Sequence, residues 1–163
     1  MNTPIVAQVE DLILSSYESM YRLAYSYVRN EDDAMDIVQE SAYKAIKNAS
    51  SISQPEYLKT WLWRIVINTS IDFIRARQNE FSCEEVPESA VEDQYTDFDT
   101  MEALNILDER ERAVIVLRLF EGRKIQEVAD ILNLNPNTIK SILYRSLNKL
   151  KVKLSEGDLS YEG

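Results

Sequence analysis

The sequence contains no histidine, a single cysteine (Cys83), and only 3 glycines and 4 prolines among 163 residues. The missing histidine excludes histidine-based catalytic triads, histidine metal sites and acid–base chemistry by an imidazole. One cysteine excludes an internal disulfide and a metal site made of several cysteines, and we interpret Cys83 as an ordinary exposed thiol. The scarcity of glycine and proline favours long helices over hairpins.

The sequence also lacks a signal peptide and an apolar run long enough for a membrane helix, which needs about 20 residues. We therefore expect a cytoplasmic protein without direct membrane insertion. A glycine-rich nucleotide-binding loop and a cluster of metal-ligating residues are absent as well. These absences predict a protein that is not an enzyme and that binds no metal and no cofactor.

The charge of the chain is unevenly distributed. The formal net charge is -10, but residues 79–100 hold eight acidic and no basic side chains, and residues 155–163 hold three acidic and no basic ones. Residues 101–154, by contrast, hold ten basic and seven acidic side chains. Because DNA affinity depends on the neutralisation of phosphates, we expect so acidic a chain to bind DNA weakly alone and to need a partner there.

Residues 124–153 have the pattern of a helix-turn-helix. The first helix is predicted from residue 125 to residue 132, followed by a turn at residues 133–135. Asn135 is a favourable N-cap for the second helix, and Pro136 suits its first position, where a missing N–H costs nothing. Upstream, Asp108 and Glu111 predict a capping box for a helix that reaches Phe120, whereas Lys124 is a poor N-cap for the helix after Gly122.

The second helix of the pair is amphipathic and contains five basic and no acidic residues between positions 136 and 154. A solvated basic face would have the same composition. The preceding helix and short turn favour DNA binding in the major groove instead. The predicted core-facing residues are Ile139, Leu143, Leu147, Leu150 and Leu154. The predicted outward-facing residues are Asn137, Lys140, Ser141, Tyr144, Arg145 and Asn148.

Three more helices are predicted in the first half. The first covers residues 9–27, and the second begins near Asp32 or Asp33, either of which can act as its N-cap. A loop rich in Asn, Ser and Pro at residues 48–56 precedes the third helix at residues 57–78. The second helix has an acidic and amide face that by itself indicates only solvated surface: Asp36, Gln39 and Glu40.

Polar residues interrupt the apolar third helix at steps of three or four, so they form one stripe beside the serine loop. They are Arg64, Asn68, Asp72 and Arg75. The aromatic residues Tyr57, Trp61 and Trp63 lie nearby, and at least one tryptophan is predicted to pack between helices. A polar stripe next to a flexible loop and aromatic rings is suited to hold an unstacked base.

These motifs together resemble one protein family. AMDIVQE in the second helix and WLWRIVINTSIDFIR in the third resemble region 2 of the extracytoplasmic-function (ECF) group of bacterial RNA polymerase sigma factors. LDERERAVIVLRLFEG and the helix-turn-helix after it resemble region 4 of the same family. The resemblance covers most of the chain, with both motifs in the family's order and spacing.

The resemblance implies three sets of contacts. The implied protein partner is core polymerase, which would bind through its clamp helices and its flap. Asp36, Gln39 and Glu40 of this chain are the residues implied to contact the clamp helices. For the -10 element it implies the loop residues Ser50, Ser51, Ile52 and Ser53 and the helix residues Trp61, Arg64 and Asn68. For the -35 element it implies Asn137, Thr138, Lys140, Ser141, Tyr144 and Arg145.

We therefore expect an all-α protein with two small helical domains. They are region 2 at residues 1–77 and region 4 at residues 101–154, joined by a flexible acidic linker at 78–100 and followed by an unordered acidic tail at 155–163. The resemblance implies a factor that directs promoter-specific initiation and is controlled by an anti-sigma factor, in many relatives membrane-anchored. A helical regulatory interaction protein and a stand-alone helix-turn-helix repressor are the alternatives, although no heptad seam for a repressor dimer is present.

Overall fold

The computed structural model describes residues 4–80 and 103–162. Cys83 and most of the predicted linker lie outside these ranges. The regular elements within them are all helical, as the sequence predicts. The helices are α1 (Pro4–Val28), α2 (Glu31–Lys47), α3 (Leu58–Glu80), α4 (Glu109–Ile115), α5 (Ile125–Leu132) and α6 (Pro136–Glu162).

Helices α1, α2 and α3 pack against one another as a three-helix unit. The apolar stripe of α1, which includes Met20 and Leu23, is fully buried between the other two helices. Helix α2 starts one residue before the predicted caps, because the Asn30 side chain accepts a hydrogen bond of 2.8 Å from the Asp33 N–H. The prediction of Asp32 or Asp33 as the N-cap is therefore wrong. Both acids lie in the first turn, where negative charge favours the helix dipole.

The predicted loop between α2 and α3 contains two short 3₁₀ turns, Ala49–Ser51 and Pro55–Tyr57. They place Ala49 against the core and turn the chain into α3. Within α3, Trp63 is 1% exposed, which confirms that one tryptophan is a packing residue.

Helix α4 begins with the predicted capping box. The Asp108 carboxylate accepts from the Glu111 N–H at 2.8 Å, and the Glu111 carboxylate accepts from the Asp108 N–H at 3.0 Å. The helix continues into a π-helical segment, Val116–Phe120, before Gly122 reverses the chain at a φ of 67°. Glycine adopts this left-handed backbone conformation without strain because it has no Cβ.

The helix-turn-helix is formed by α5 and α6. Lys124 offers α5 no side-chain acceptor, but its N–H donates to the Glu127 carboxylate at 2.8 Å. Asn133 ends α5 in the left-handed conformation with a φ of 58°. Asn135 caps α6 as predicted, since its side chain accepts from the Asn137 N–H at 2.8 Å.

The buried face of α6 differs from the predicted stripe. Ile139, Ile142 and Ser146 are buried, whereas Leu147 is 40% exposed, so its prediction as a core residue is wrong. Ser146 can be buried because its hydroxyl donates to the Ile142 carbonyl at 2.7 Å. The helix also extends to Glu162, so residues 155–162 are helical rather than the predicted unordered tail.

The two halves of the chain pack against each other and share one cluster of buried apolar residues. Helix α3 lies against α5, and α1 contacts α4 and the π-helical segment. This packing between the halves was not predicted from the sequence.

Candidate nucleic-acid interface

The outward face of α6 presents the predicted -35 residues to solvent. All six are exposed, and Tyr144 is 70% exposed. The residues are Asn137, Thr138, Lys140, Ser141, Tyr144 and Arg145. The opposite face, with Ile139 and Ile142, fixes the helix to the core. The face therefore combines hydrogen-bonding groups and positive charge, and residues 136–154 of the helix contain no carboxylate.

Arg145 has a partner that the sequence did not indicate. Its Nε donates to the Glu111 carboxylate at 3.0 Å, and Lys149 Nζ contacts both Glu111 oxygens at 2.9 Å. The Glu111 side chain is 1% exposed, whereas those of Arg145 and Lys149 are 55% and 43% exposed. The carboxylate thus joins the start of α4 to the exposed face of α6.

Opposing effects set the pKa of Glu111. Burial alone would raise it, but the hydrogen bonds from Lys149, the Asp108 N–H and Arg145 lower the pKa of Glu111 to about 2. The carboxylate is therefore ionised at neutral pH. A signal for this role was present in the sequence, because Glu111 precedes the buried Val114 and Ile115 by three and four residues and so lies on the inner face of α4.

The predicted -10 residues occupy one side of α3 and the loop before it. Ser50, Ser51 and Ser53 are exposed, as is Asn68, whereas Ile52 and Trp61 are partly buried against the core. The Ser51 hydroxyl donates to the Asn48 carbonyl at 2.7 Å and so stabilises the loop turn. Four of the seven predicted -10 residues are thus exposed polar groups, and Ile52 and Trp61 are partly buried apolar side chains.

Arg64 belongs to this predicted set but is engaged with the other half of the chain. Its guanidinium donates to the Ile131 carbonyl at 2.9 Å and to the Asp130 carbonyl at 2.6 Å, both in the last turn of α5. It also lies over the Tyr57 ring, 5.4 Å from the centroid. Carbonyl oxygens at a helix C-terminus carry partial negative charge and lack intrahelical partners, so they suit a cation.

Further polar contacts join the halves. Arg22 forms a two-pronged ion pair with Glu121, with N–O distances of 2.9 and 3.0 Å, and Arg75 pairs with Glu109 at 2.9 Å. The buried Tyr27 hydroxyl donates to the Glu109 carbonyl at 3.1 Å, and burial raises the pKa of this phenol. These contacts fix the position of α4 relative to α1 and α3.

Two more arginines of the second half face aromatic rings of the first. The Arg112 guanidinium lies 5.3 Å from the centre of the Tyr27 ring and within 3.4 Å of the Ser26 and Tyr27 carbonyls at the end of α1. Arg123 lies 5.4 Å from the centre of the Trp63 ring. These contacts add cation–π attraction to the apolar packing between the halves.

The predicted polymerase-binding residues lie on the outer face of α2. Asp36, Gln39 and Glu40 are all exposed, and only Glu40 has an ion pair, a loose one of 3.8 Å with Lys44. Lys44 also donates to the Thr69 hydroxyl on α3 at 3.2 Å. The acidic face is therefore largely unpaired by the described residues and available to a partner.

Within residues 4–80 and 103–162, no helix has the length and the apolar character needed to cross a membrane. Within the same ranges, no three or more Cys, Asp or Glu side chains are grouped so that they could hold a metal ion.

Comparison with known proteins identifies both halves. The family model for Sigma-70 region 2 matches residues 12–80, and that for Sigma-70, region 4 matches residues 98–150. RNA polymerase sigma factor SigV of Bacillus subtilis is 42% identical over 147 residues, which cover 88% of this chain and 89% of the relative. ECF RNA polymerase sigma factor SigW of the same organism is 26% identical, with 90% and 88% covered.

A solved structure shares the arrangement of both halves. The sigma factor RpoE of Bartonella quintana, in its co-crystal with the anti-sigma factor NepR, matches with a TM-score of 0.75 and 28% identity. The match covers 90% of this chain and 96% of RpoE. The sequence matches to both regions and the extent of the SigV similarity give one conclusion: the chain belongs to the ECF group of the sigma-70 family of bacterial RNA polymerase sigma factors.

Proposed function

We propose that the protein directs RNA polymerase to a specific class of promoters. The observation that carries this proposal is the exposed, carboxylate-free face of α6, presented by a helix-turn-helix in a chain of the ECF group. Such a face can approach phosphates and base edges in the major groove. As an initiation factor the protein contributes binding and no catalytic group, so we propose that it is not an enzyme. Because bacterial RNA polymerase and promoter DNA are in the cytoplasm, we also propose a cytoplasmic location.

Recognition of the -35 element is assigned to α6. Asn137 lies at the helix N-terminus, and Lys140, Ser141 and Tyr144 follow at helical spacing on the same exposed face. Asn and Arg side chains can form two hydrogen bonds with one base edge, and each such contact discriminates by about 1 to 3 kcal/mol. Thr138 and Arg145 complete the proposed set.

The -10 element is assigned to the serine loop and α3. The exposed hydroxyls of Ser50, Ser51 and Ser53 and the Asn68 amide can hydrogen-bond to an unstacked base, and Ile52 and Trp61 supply apolar contact. Arg64 can join this surface only after it leaves the α5 carbonyls. We therefore propose that the halves separate before the -10 strand is bound.

The acidic face of α2 is assigned to the polymerase clamp helices. Asp36 and Glu40 are negative and exposed, and a basic partner surface would complement them. The second half is assigned to the flap. The proposed domains are residues 1–77 and 101–154, with 78–100 as linker and 155–163 as tail.

An anti-sigma factor is the proposed regulator. RpoE of Bartonella quintana was crystallised with the anti-sigma factor NepR, and its match to this chain extends over both halves at once. The close packing of the halves, with Arg64 engaged, is the form of this protein that such a regulator would stabilise. A membrane-anchored regulator would hold the complex at the inner surface of the membrane.

Reconstituted transcription tests the proposed function. Purified full-length protein is added to bacterial core polymerase with genomic DNA fragments, and the 5′ ends of the transcripts are mapped. Discrete start sites preceded by two shared sequence elements are expected. Core binding without new start sites would favour the interaction protein, and promoter binding without core polymerase would favour the repressor. Either result would contradict the proposal.

A further inference from the structure

Glu111 is the one buried carboxylate among the described residues that contacts the exposed face of α6, and it does so from another helix. The family comparisons assign it no role, and the -35 set predicted from the sequence omits it. Its carboxylate holds Arg145 through a single nitrogen, Nε, at 3.0 Å. The contact therefore constrains the guanidinium without occupying all of its donors.

The geometry of a guanidinium makes the choice of nitrogen important. The group is planar and has five N–H donors in a fixed fork. When Nε is bound to a carboxylate, the rotation of the plane is restricted and the two terminal nitrogens stay available. No described side chain or carbonyl accepts from them, and the Arg145 side chain is 55% exposed.

We infer that Glu111 is a positioning residue for -35 recognition. By fixing Nε of Arg145, it orients the two terminal nitrogens toward the O6 and N7 acceptors of a guanine in the major groove. The inference rests on the proposed function, since it assumes that α6 enters that groove. Glu111 itself does not touch the DNA, because it is buried beneath the helix.

A purely structural ion pair would not need Arg145. Lys149 alone reaches both oxygens of Glu111 at 2.9 Å, and the Asp108 N–H supplies a third donor. The carboxylate would therefore remain ionised and hydrogen-bonded without the arginine. The contact with Glu111 restricts the rotamers of the exposed Arg145 side chain before DNA is bound. Less conformational entropy is then lost on binding, so this preorganisation improves affinity.

Selection of promoter sequences by the holoenzyme tests the inference. Core polymerase loaded with wild-type protein, Glu111→Gln, Arg145→Ala or the double variant is incubated with a library randomised in the -35 region, and bound DNA is sequenced. Wild type should prefer guanine at one position by about 5- to 150-fold, as a two-pronged arginine contact does. Arg145→Ala should abolish that preference, and Glu111→Gln should reduce it at least about threefold.

Two features separate positioning from a merely structural role. In the double variant, Glu111→Gln should cause no further loss at that position, because it acts through Arg145. Preferences at the positions read by other side chains should be retained. Lys149→Met is the matched control, since it removes the other cation of the cluster and should leave the guanine preference within about twofold of wild type.

Three results would overturn the inference. They are an unchanged guanine preference in Glu111→Gln, an equal decline of preference at all positions, and a loss of the preference in Lys149→Met. Should Glu111→Gln fail to fold, Glu111→Asp retains the charge but retracts the oxygens, and the same loss at one position is expected. A wild-type holoenzyme that enriches no -35 sequence would overturn the proposed function itself, and a normal wild-type preference insensitive to Glu111 would overturn only the inference.

Discussion

Arg145 and Lys140 occupy the same exposed face of α6, but their surroundings are different. Arg145 neutralises a buried carboxylate, whereas Lys140 has no partner among the described residues. Alanine at position 145 is therefore expected to change both the proposed DNA contact and the folding stability. Alanine at position 140 is expected to change only the proposed DNA contact, which makes Lys140 the better probe of the proposed -35 surface.

Lys140→Ala should weaken promoter binding without affecting stability. One lost phosphate or base contact should lower the slope of log affinity against log salt by about 1, and the free energy of unfolding should change by less than about 0.5 kcal/mol. Filter binding of the holoenzyme at several salt concentrations and urea unfolding provide the two measurements. Lys59→Ala, on the exposed surface of α3, is the control and should leave the slope unchanged.

Arg145→Ala should lower both promoter activity and stability. Removal of one donor to the buried Glu111 carboxylate is expected to cost about 0.5 to 1.5 kcal/mol of unfolding free energy, because Lys149 and the Asp108 N–H keep the carboxylate hydrogen-bonded. Core polymerase binding, measured by competition with labelled protein, should be retained. Full promoter activity at wild-type stability would exclude both roles of this side chain.

Acid should destabilise the Glu111 cluster within a defined pH range. The folded-state pKa of Glu111 is about 2 against an ordinary value of 4.5, so protons bind the unfolded state first. The stabilisation is complete above pH 4.5 and is lost as the pH falls toward 2. The unfolding free energy of wild type minus that of Glu111→Gln, from urea titrations at pH 3 to 7, should be largest at pH 7 and should shrink as the pH falls below about 4.5. The same difference for the exposed Glu56→Gln should be small throughout.

At the scale of single elements, capping decides where α6 begins. Asn135→Ala removes the acceptor for the Asn137 N–H and should cost about 1 kcal/mol. Asn135→Asp keeps an acceptor and should retain stability. Thermal unfolding of the two variants checks the difference, and equal melting temperatures would show that the cap contributes nothing.

Local sequence rules predicted most of the elements. The Asp108–Glu111 capping box, the Asn135 cap, Pro136 and the breaks at Asn133 and Gly122 are short-range features, and the structure has all of them. The predictions failed where burial depends on a neighbouring helix. Ser146 replaces Leu147 in the core because a hydrogen bond to the preceding turn offsets the cost of burying its hydroxyl, which hydrophobicity alone does not reveal.

Contacts between distant parts of the chain could not be predicted in the same way. Arg64 and the α5 carbonyls are separated by 66 and 67 residues, and Arg22 and Glu121 by 99. Side-chain spacing within one helix carries no information about a carbonyl on another. The proposed -10 and -35 surfaces were thus predicted from local patterns and the family resemblance, whereas the packing of the two halves was not predicted.

On the scale of the whole molecule, the polar contacts between the halves should weaken in salt. The Arg22–Glu121 and Arg75–Glu109 pairs have exposed arginines, and at about 1 M ionic strength the screening length falls to about 3 Å. The double variant Arg22→Ala/Arg75→Ala removes both ion pairs without added salt. It should have a larger radius of gyration than wild type by small-angle scattering at low salt. Lys59→Ala/Lys151→Ala is the matched control and should scatter as wild type does, because both lysines are exposed and have no ion pair among the described residues.

Replacement of Asp36 and Glu40 by alanine should reduce core polymerase binding and leave folding unchanged, because both side chains are exposed and the Glu40–Lys44 pair is loose. Co-elution with core polymerase measures the effect. Asp11→Ala/Glu56→Ala removes the same charge from other exposed positions and serves as control. Normal retention of the Asp36/Glu40 variant by core polymerase would contradict the clamp assignment.

Arg64 of the first half meets the end of α5, and Arg112 of the second half meets the end of α1. Each half thus supplies an arginine to the C-terminal carbonyls of a helix in the other half. Separation of the halves leaves both arginines and both sets of carbonyls without these partners. Water can hydrogen-bond to the released carbonyls, whereas the phosphates of a nucleic acid can pair with the released guanidinium groups. Under the proposed function, promoter DNA would therefore stabilise the separated state more than water does, and the promoter would act as a ligand that shifts this equilibrium.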